Sequence, residues 1–103
     1  MDLSAGEYVD PSGPGQVVAY TGTAGTIANP LPQGAQAVWV FCTSVAHVKV
    51  SYDGAGTAAT TADFPVPASW PVKIPLQPGK TGVKVSAIQS AAGGNLHCCP
   101  VNF

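Results

Sequence analysis

Residues 35–51 read AQAVWVFCTSVAHVKVS, and this stretch decides the fold. In its first half Val38, Val40 and Cys42 alternate with Ala37, Trp39 and Phe41, so both sets are apolar. Successive side chains of a strand point to opposite faces, and an apolar residue at every step predicts a strand covered on both sides. After Thr43 and Ser44 the pattern changes. Val48 and Val50 alternate with His47, Lys49 and Ser51, the mark of a strand with one wet face. Asp53-Gly54 supplies the turn that closes it.

On the C-terminal side, Trp70, Val72, Ile74 and Leu76 alternate with Pro71, Lys73 and Pro75. Proline has no N–H for a ladder, so this segment is predicted to be an edge strand. Gln77-Pro78-Gly79-Lys80 fits a type II turn, and Val83 and Val85 open the next strand. The break in alternation between Val85 and Ile88 suits a bulge. Gly93-Gly94-Asn95 turns the chain into a last strand from Leu96 to Val101. On the N-terminal side, Gln16 to Thr21 forms a first strand. Residues 1–15, with Pro11, Gly13, Pro14 and Gly15, read as an extended arm outside the core.

Twelve glycines and ten prolines are dispersed between the apolar stretches, and no uninterrupted window carries a helical apolar period. The prediction is an all-β, compact β-sandwich or jelly-roll-like domain of about seven short antiparallel strands. It occupies residues 16–103, behind the N-terminal arm. Val38, Val40, Val48, Val50, Val72, Ile74, Val83, Val85 and Leu96 are its predicted core.

Charged residues make up 9% of the chain, against about 25% in an ordinary soluble domain. Such a neutral surface protects poorly against association, which points to packing against other protein. A net charge of −1 gives no basic field for nucleic acid. No apolar run approaches the roughly 18 residues of a membrane-spanning helix. The opening Met-Asp-Leu-Ser-Ala-Gly-Glu carries acids where an export signal carries bases, so synthesis in a cytoplasm, with residence there or exit by lysis, is expected.

Catalytic and metal chemistry find little support. Gly79-Lys80-Thr81 resembles the end of a phosphate loop, but position 74 is Ile rather than the required Gly, and a strand follows. His47, His97, Cys98 and Cys99 include zinc-type ligands. Adjacent strand residues face opposite ways, however, so Cys98 and Cys99 do not share one ion. A Cys–His nucleophile drawn from Cys42 or Cys99 with His47 or His97 lacks an evident orienting group. Of the carboxylates, Asp2, Glu7 and Asp10 fall in the arm and Asp53 in a turn, leaving Asp63. No catalytic, cofactor-binding or metal-binding residue is therefore assigned, and no enzyme is expected. The three cysteines are read as reduced thiols, with Cys42 and one of the vicinal pair as core filler. Trp39, Trp70, Tyr52 and Phe64 leave a carbohydrate-binding β-sandwich module as the runner-up. Both tryptophans sit in apolar registers, where core packing is the commoner role.

Three segments together resemble small β-proteins encoded in the head gene modules of tailed bacteriophages: VWVFCTSVAHVKVS (38–51), ATTADFPVPASWPV (59–72) and GGNLHCCPVNF (93–103). The resemblance covers roughly residues 36 to 101. It implies a virion structural role, foremost a capsid cement or decoration protein on the outside of the major capsid shell, made in the host cytoplasm. The implied partner is the major capsid protein; the charge deficit adds copies of the chain itself, in a homo-oligomer with a trimer favoured slightly over a dimer. A head–tail connector piece, a tail component and the base of a head fibre belong to the same class.

Overall fold

A computed structural model of the chain describes residues 8–9, 15–31, 35–52, 54, 56–77 and 82–102. Nine strands follow in chain order: β1 Tyr8–Val9, β2 Gln16–Tyr20, β3 Gly25–Thr26, β4 Ala37–Cys42, β5 Ala46–Ser51, β6 Phe64–Val66, β7 Val72–Pro75, β8 Lys84–Gln89 and β9 Gly94–Asn102. All strand pairings are antiparallel, and no helix occurs among the described residues. The protein is an all-β sandwich.

One sheet has five strands in the order β1-β9-β4-β7, with β2 also paired to β9; the other has four, β3-β8-β5-β6. Val38, Val40, Cys42, Leu96 and Cys98 from the first meet Ala46, Val48, Val66, Val85 and Ala87 from the second, all buried. Val83 is buried as well, completing the part of the expected core that is fully enclosed. Val50, Val72 and Ile74 are only partly buried against it. They line the open side of the sandwich, where edge strands β6 and β7 stand apart.

The predicted edge strand is β7, and Pro75 lies within it. The other edge on this side, β6, contains Pro65. Prolines on both free edges deny incoming strands a continuous ladder.

The expected bulge is absent: β8 pairs with β5 without interruption from Ala46↔Gln89 to Ser51↔Lys84. Val85 and Ala87 keep the alternation into the core, and Ile88 lies half-buried on the outer face opposite His47. Ser86 faces away from the sandwich core yet is buried, because Ala59 of the β5–β6 connection closes over it and donates its N–H to Ser86 Oγ at 3.0 Å. Thr26 Oγ1 donates to the same oxygen at 3.1 Å.

Gly93 precedes β9, whereas Gly94 and Asn95, expected in the turn, already belong to the strand. Gly54 has φ 74°, in keeping with a turn, while Asp53 and residues 78–80 lie outside the described residues. Most of the predicted arm lies outside them too. Its Tyr8–Val9 portion pairs with the end of β9, Tyr8 opposite Asn102 and Val9 opposite Val101.

Candidate functional site

The two outer faces of the sandwich differ. On the four-stranded sheet the β5–β6 connection covers Ser86. On the five-stranded sheet no described residue forms a layer over the outer face, although the sequence predicts β4 to be covered on both sides. Register places its side chains in rows. Val17, His97 and Phe41 lie side by side across β2, β9 and β4; Cys99, Trp39 and Lys73 lie side by side across β9, β4 and β7.

Trp39 and Phe41 are half-buried on this face, and Val17 is 59% exposed. The Phe41 and His97 rings meet edge to face, with centroids 6.2 Å apart and planes at 67°. A shallow groove of about 340 Å³ runs between Val17, Trp39, Phe41, Pro71, His97 and Cys99. Asp63, the one carboxylate among the described residues, belongs to the other sheet, where it lies 3.8 Å from Lys49 Nζ.

Trp70 corrects a second expectation. It is 66% exposed rather than core, and Ser69 immediately before it has φ 58°. A non-glycine residue in this left-handed region is strained by about 1–3 kcal/mol. The Ser69 N–H, donating to the Cys42 carbonyl at 2.8 Å, holds it there. Phe64, 62% exposed, borders a separate groove of about 350 Å³ on the open side, with Val48, Val50, Val72 and Ile74.

The residues weighed for metal and nucleophilic chemistry are dispersed. His47 is on the four-stranded sheet, with Nδ1 3.0 Å from the Asp63 carbonyl oxygen. Cys98 faces the core and Cys99 the outer face, as strand alternation requires. Among the described residues no three His, Cys, Asp or Glu side chains come together to hold a metal ion. Cys42 faces the core, away from both histidines. Only Cys99 and His97 share a face.

Burial, chiefly, raises the Cys42 thiol above its ordinary range, although a hydrogen bond with Tyr20 pulls the other way. Burial, then the nearby Cys42 and Cys99 sulfurs, pushes Cys98 up to about 12. Both thiols stay protonated at neutral pH and are poor nucleophiles. Asp63 is held below the usual carboxylate range, first by the Thr60 backbone N–H, which donates to its Oδ2 at 2.7 Å. That carboxylate closes a turn.

The face was half legible in the sequence. The unbroken apolar run of β4 marked a strand without a wet side, but alternation alone does not say whether a second layer comes from the same chain. Comparison with known family models, curated proteins and solved structures finds no match to this chain.

Proposed function

We propose that this chain is a bacteriophage virion structural protein, a capsid cement or decoration protein that binds and stabilises the assembled major-capsid shell. The observation that carries this reading is the open outer face of the five-stranded sheet. Val17, Trp39 and Phe41 stand there on a rigid sheet, with no carboxylate among the described residues. Apolar patches of this kind mark protein contacts, and aromatic side chains dominate the energetics of such contacts. The sparse charge of the whole chain supports the same reading. The partners are the major capsid protein and copies of the chain itself, without nucleic acid or membrane. The phage setting comes from the sequence resemblance, and the protein acts on the capsid exterior without catalysis. A connector, tail or head-fibre position would use the same face.

Affinity at each contact need not be high. Many copies sharing one lattice multiply weak contacts, provided that each domain is rigid enough to engage several subunits at once. The test is mass spectrometry of particles purified from a phage that encodes the chain, with imaging to locate it. Stoichiometric copies on the outer shell are expected, and particles without the protein would refute the proposal.

One observation favours a second reading, a carbohydrate-binding module: Trp70 is 66% exposed and directly precedes Pro71, which lines the groove with Trp39, and an exposed ring of this kind is what a sugar stacks on. Oligosaccharide titration that quenches Trp70 fluorescence, together with a monomeric chain absent from particles, would establish it.

A further inference from the structure

The edges of the sandwich differ in what they offer an incoming strand. Antiparallel neighbours exchange main-chain hydrogen bonds at every second residue, so one bond fixes which way each residue's N–H and C=O point. The Thr43 N–H donates to the Asn95 carbonyl at 3.1 Å. Asn95, His97 and Cys99 of β9 therefore turn their main-chain groups toward β4, and Gly94, Leu96 and Cys98 turn theirs toward Tyr20, Val18 and Gln16 of β2. Val17 and Ala19 are left pointing away from β9. Two neighbours agree with this phase: the Thr21 carbonyl, two residues on, accepts the Gln89 N–H at 3.0 Å, and a Cβ on Gly25 would collide with the Ala19 carbonyl. The Val17 N–H, the Val17 C=O and the Ala19 N–H meet no hydrogen-bond partner among the described residues.

The other edges are closed to a strand. The Leu76 N–H donates to the Gln36 carbonyl, so its neighbour Pro75 faces outward on β7. The Ser90 N–H donates to the Val45 carbonyl, which by the same phase turns Pro65 outward on β6. Neither proline has an N–H to give there. β3 is two residues long. β2 keeps an unbroken five-residue register with β9 and carries no proline and no charge. An edge with none of these protections is a template for strand pairing.

We infer that β2 pairs antiparallel with β2 of a second copy about a two-fold axis at Val17, joining the two five-stranded sheets edge to edge. This rests on the subunit-packing reading above and names the partner. Each Val17 N–H donates to the partner's Val17 carbonyl, and each Ala19 N–H faces the partner's Gly15. The Val17 side chains, 59% exposed in the single chain, then lie side by side and leave water. An isologous contact needs a self-complementary patch, and here donor meets acceptor and apolar meets apolar. Residues 15–20 carry no charge to repel their own copy. A centre at Val18 would instead set Val17 against the partner's Ala19, whose carbonyl Gly25 already approaches. The pair is two-fold, where composition alone favoured a three-fold ring.

One strand pair buries far less than the roughly 800 Å² per partner of a standard stable interface. The dimer is therefore reversible, and in a shell it gains from its neighbours.

Amide hydrogen exchange of the full chain, read residue by residue at micromolar and at millimolar concentration, tests the pairing. The Val17 and Ala19 amides should exchange more than about tenfold more slowly at the higher concentration, where sedimentation equilibrium shows a dimer. Val18 and Tyr20, bonded to β9, should be protected at both. Val17→Pro removes an outward N–H without touching the ladder to β9, and should raise the dimer Kd more than about tenfold with little change in melting temperature. Should Val17→Pro fail to fold, Val17→Lys, which sets like charges face to face across the pair, serves instead. Val17 and Ala19 amides that exchange equally fast at both concentrations, or a dimer indifferent to these substitutions, would overturn the proposal. A chain that stays monomeric, yet gains protection at Val17 and Ala19 on particles, would overturn the self-pairing and leave the capsid reading standing. A dimer behaving as predicted that never attaches to particles would do the reverse.

Discussion

The Tyr20 hydroxyl donates to the Ser44 carbonyl at 2.6 Å, tying β2 to the β4–β5 turn across 24 residues of chain. The same oxygen accepts the Ser44 N–H at 3.2 Å, and Ser44 Oγ donates to the carbonyls of Ala92 and Gly93 at the start of β9. Three chain segments meet at this point. A Cβ on Gly94 would lie 2.6 Å from Ser44 Oγ and Thr43 Oγ1, so only glycine fits between them. Tyr20→Phe should cost about 0.5–1.5 kcal/mol, the net worth of an ordinary hydrogen bond, since the Ser44 groups it leaves are only part-buried. Gly94→Ala should also destabilise, because the Ser44, Thr43 and Tyr20 hydroxyls must leave their hydrogen bonds to make room for the methyl group. Urea denaturation midpoints check both.

Core truncations rank the two sides of the sandwich. Val40 is fully enclosed between the sheets, and Val40→Ala should cost about 2–4 kcal/mol, toward the range of large-to-small core changes. Ile74 is only partly buried on the open side. There Ile74→Ala should cost less, about 1–2 kcal/mol. Equal losses would mean that the groove between β6 and β7 is closed in solution.

The fold was legible because β5 and β7 carry the two-residue period of a strand, β4 is a short apolar run, and Gly and Pro punctuate the segments between strands. Pro71 and Pro75 marked the edge correctly. Side-chain period alone could not show which chain covers an apolar face. For that reason Trp39 and Trp70, apolar in register, were expected in the core and lie outside it. The same limit made the step from Val85 to Ile88 look like a bulge, whereas Ile88 is an apolar residue half-buried on the outer face of an uninterrupted ladder. The strands β1, β3 and β6 are too short to present a period at all.

The buried thiols make stability pH-dependent in a stated direction. Cys98 keeps its proton in the folded chain up to about 12, whereas an unfolded thiol titrates near 9.0. Between these values the unfolded chain binds fewer protons, so stability falls as pH rises from about 9 toward 12. Cys98→Val should flatten that slope in denaturation series run from about pH 8 to about pH 11. In the native protein at neutral pH, iodoacetamide should modify Cys99 well before Cys42 or Cys98. Chelators and reductants should leave the melting temperature unchanged; stoichiometric zinc in the purified protein would contradict this.

Deleting residues 1–15 should leave the sandwich folded, because among the described residues the two-residue strand β1 is the one pairing element lost. The strand signature in circular dichroism should persist, while attachment to particles weakens. Particles that hold the truncated chain as tightly as the full one would show that this segment makes no contact with a neighbour.

The most direct test of the central claim is hydroxyl-radical footprinting of the chain, free as a dilute monomer and attached to its shell. If the outer face of the five-stranded sheet is the packing surface, oxidation of Trp39 and Phe41 should fall severalfold on attachment, while Tyr52, on the other sheet, changes little. Oxidation of Trp39 and Phe41 that is equal in the free and attached states would contradict the account.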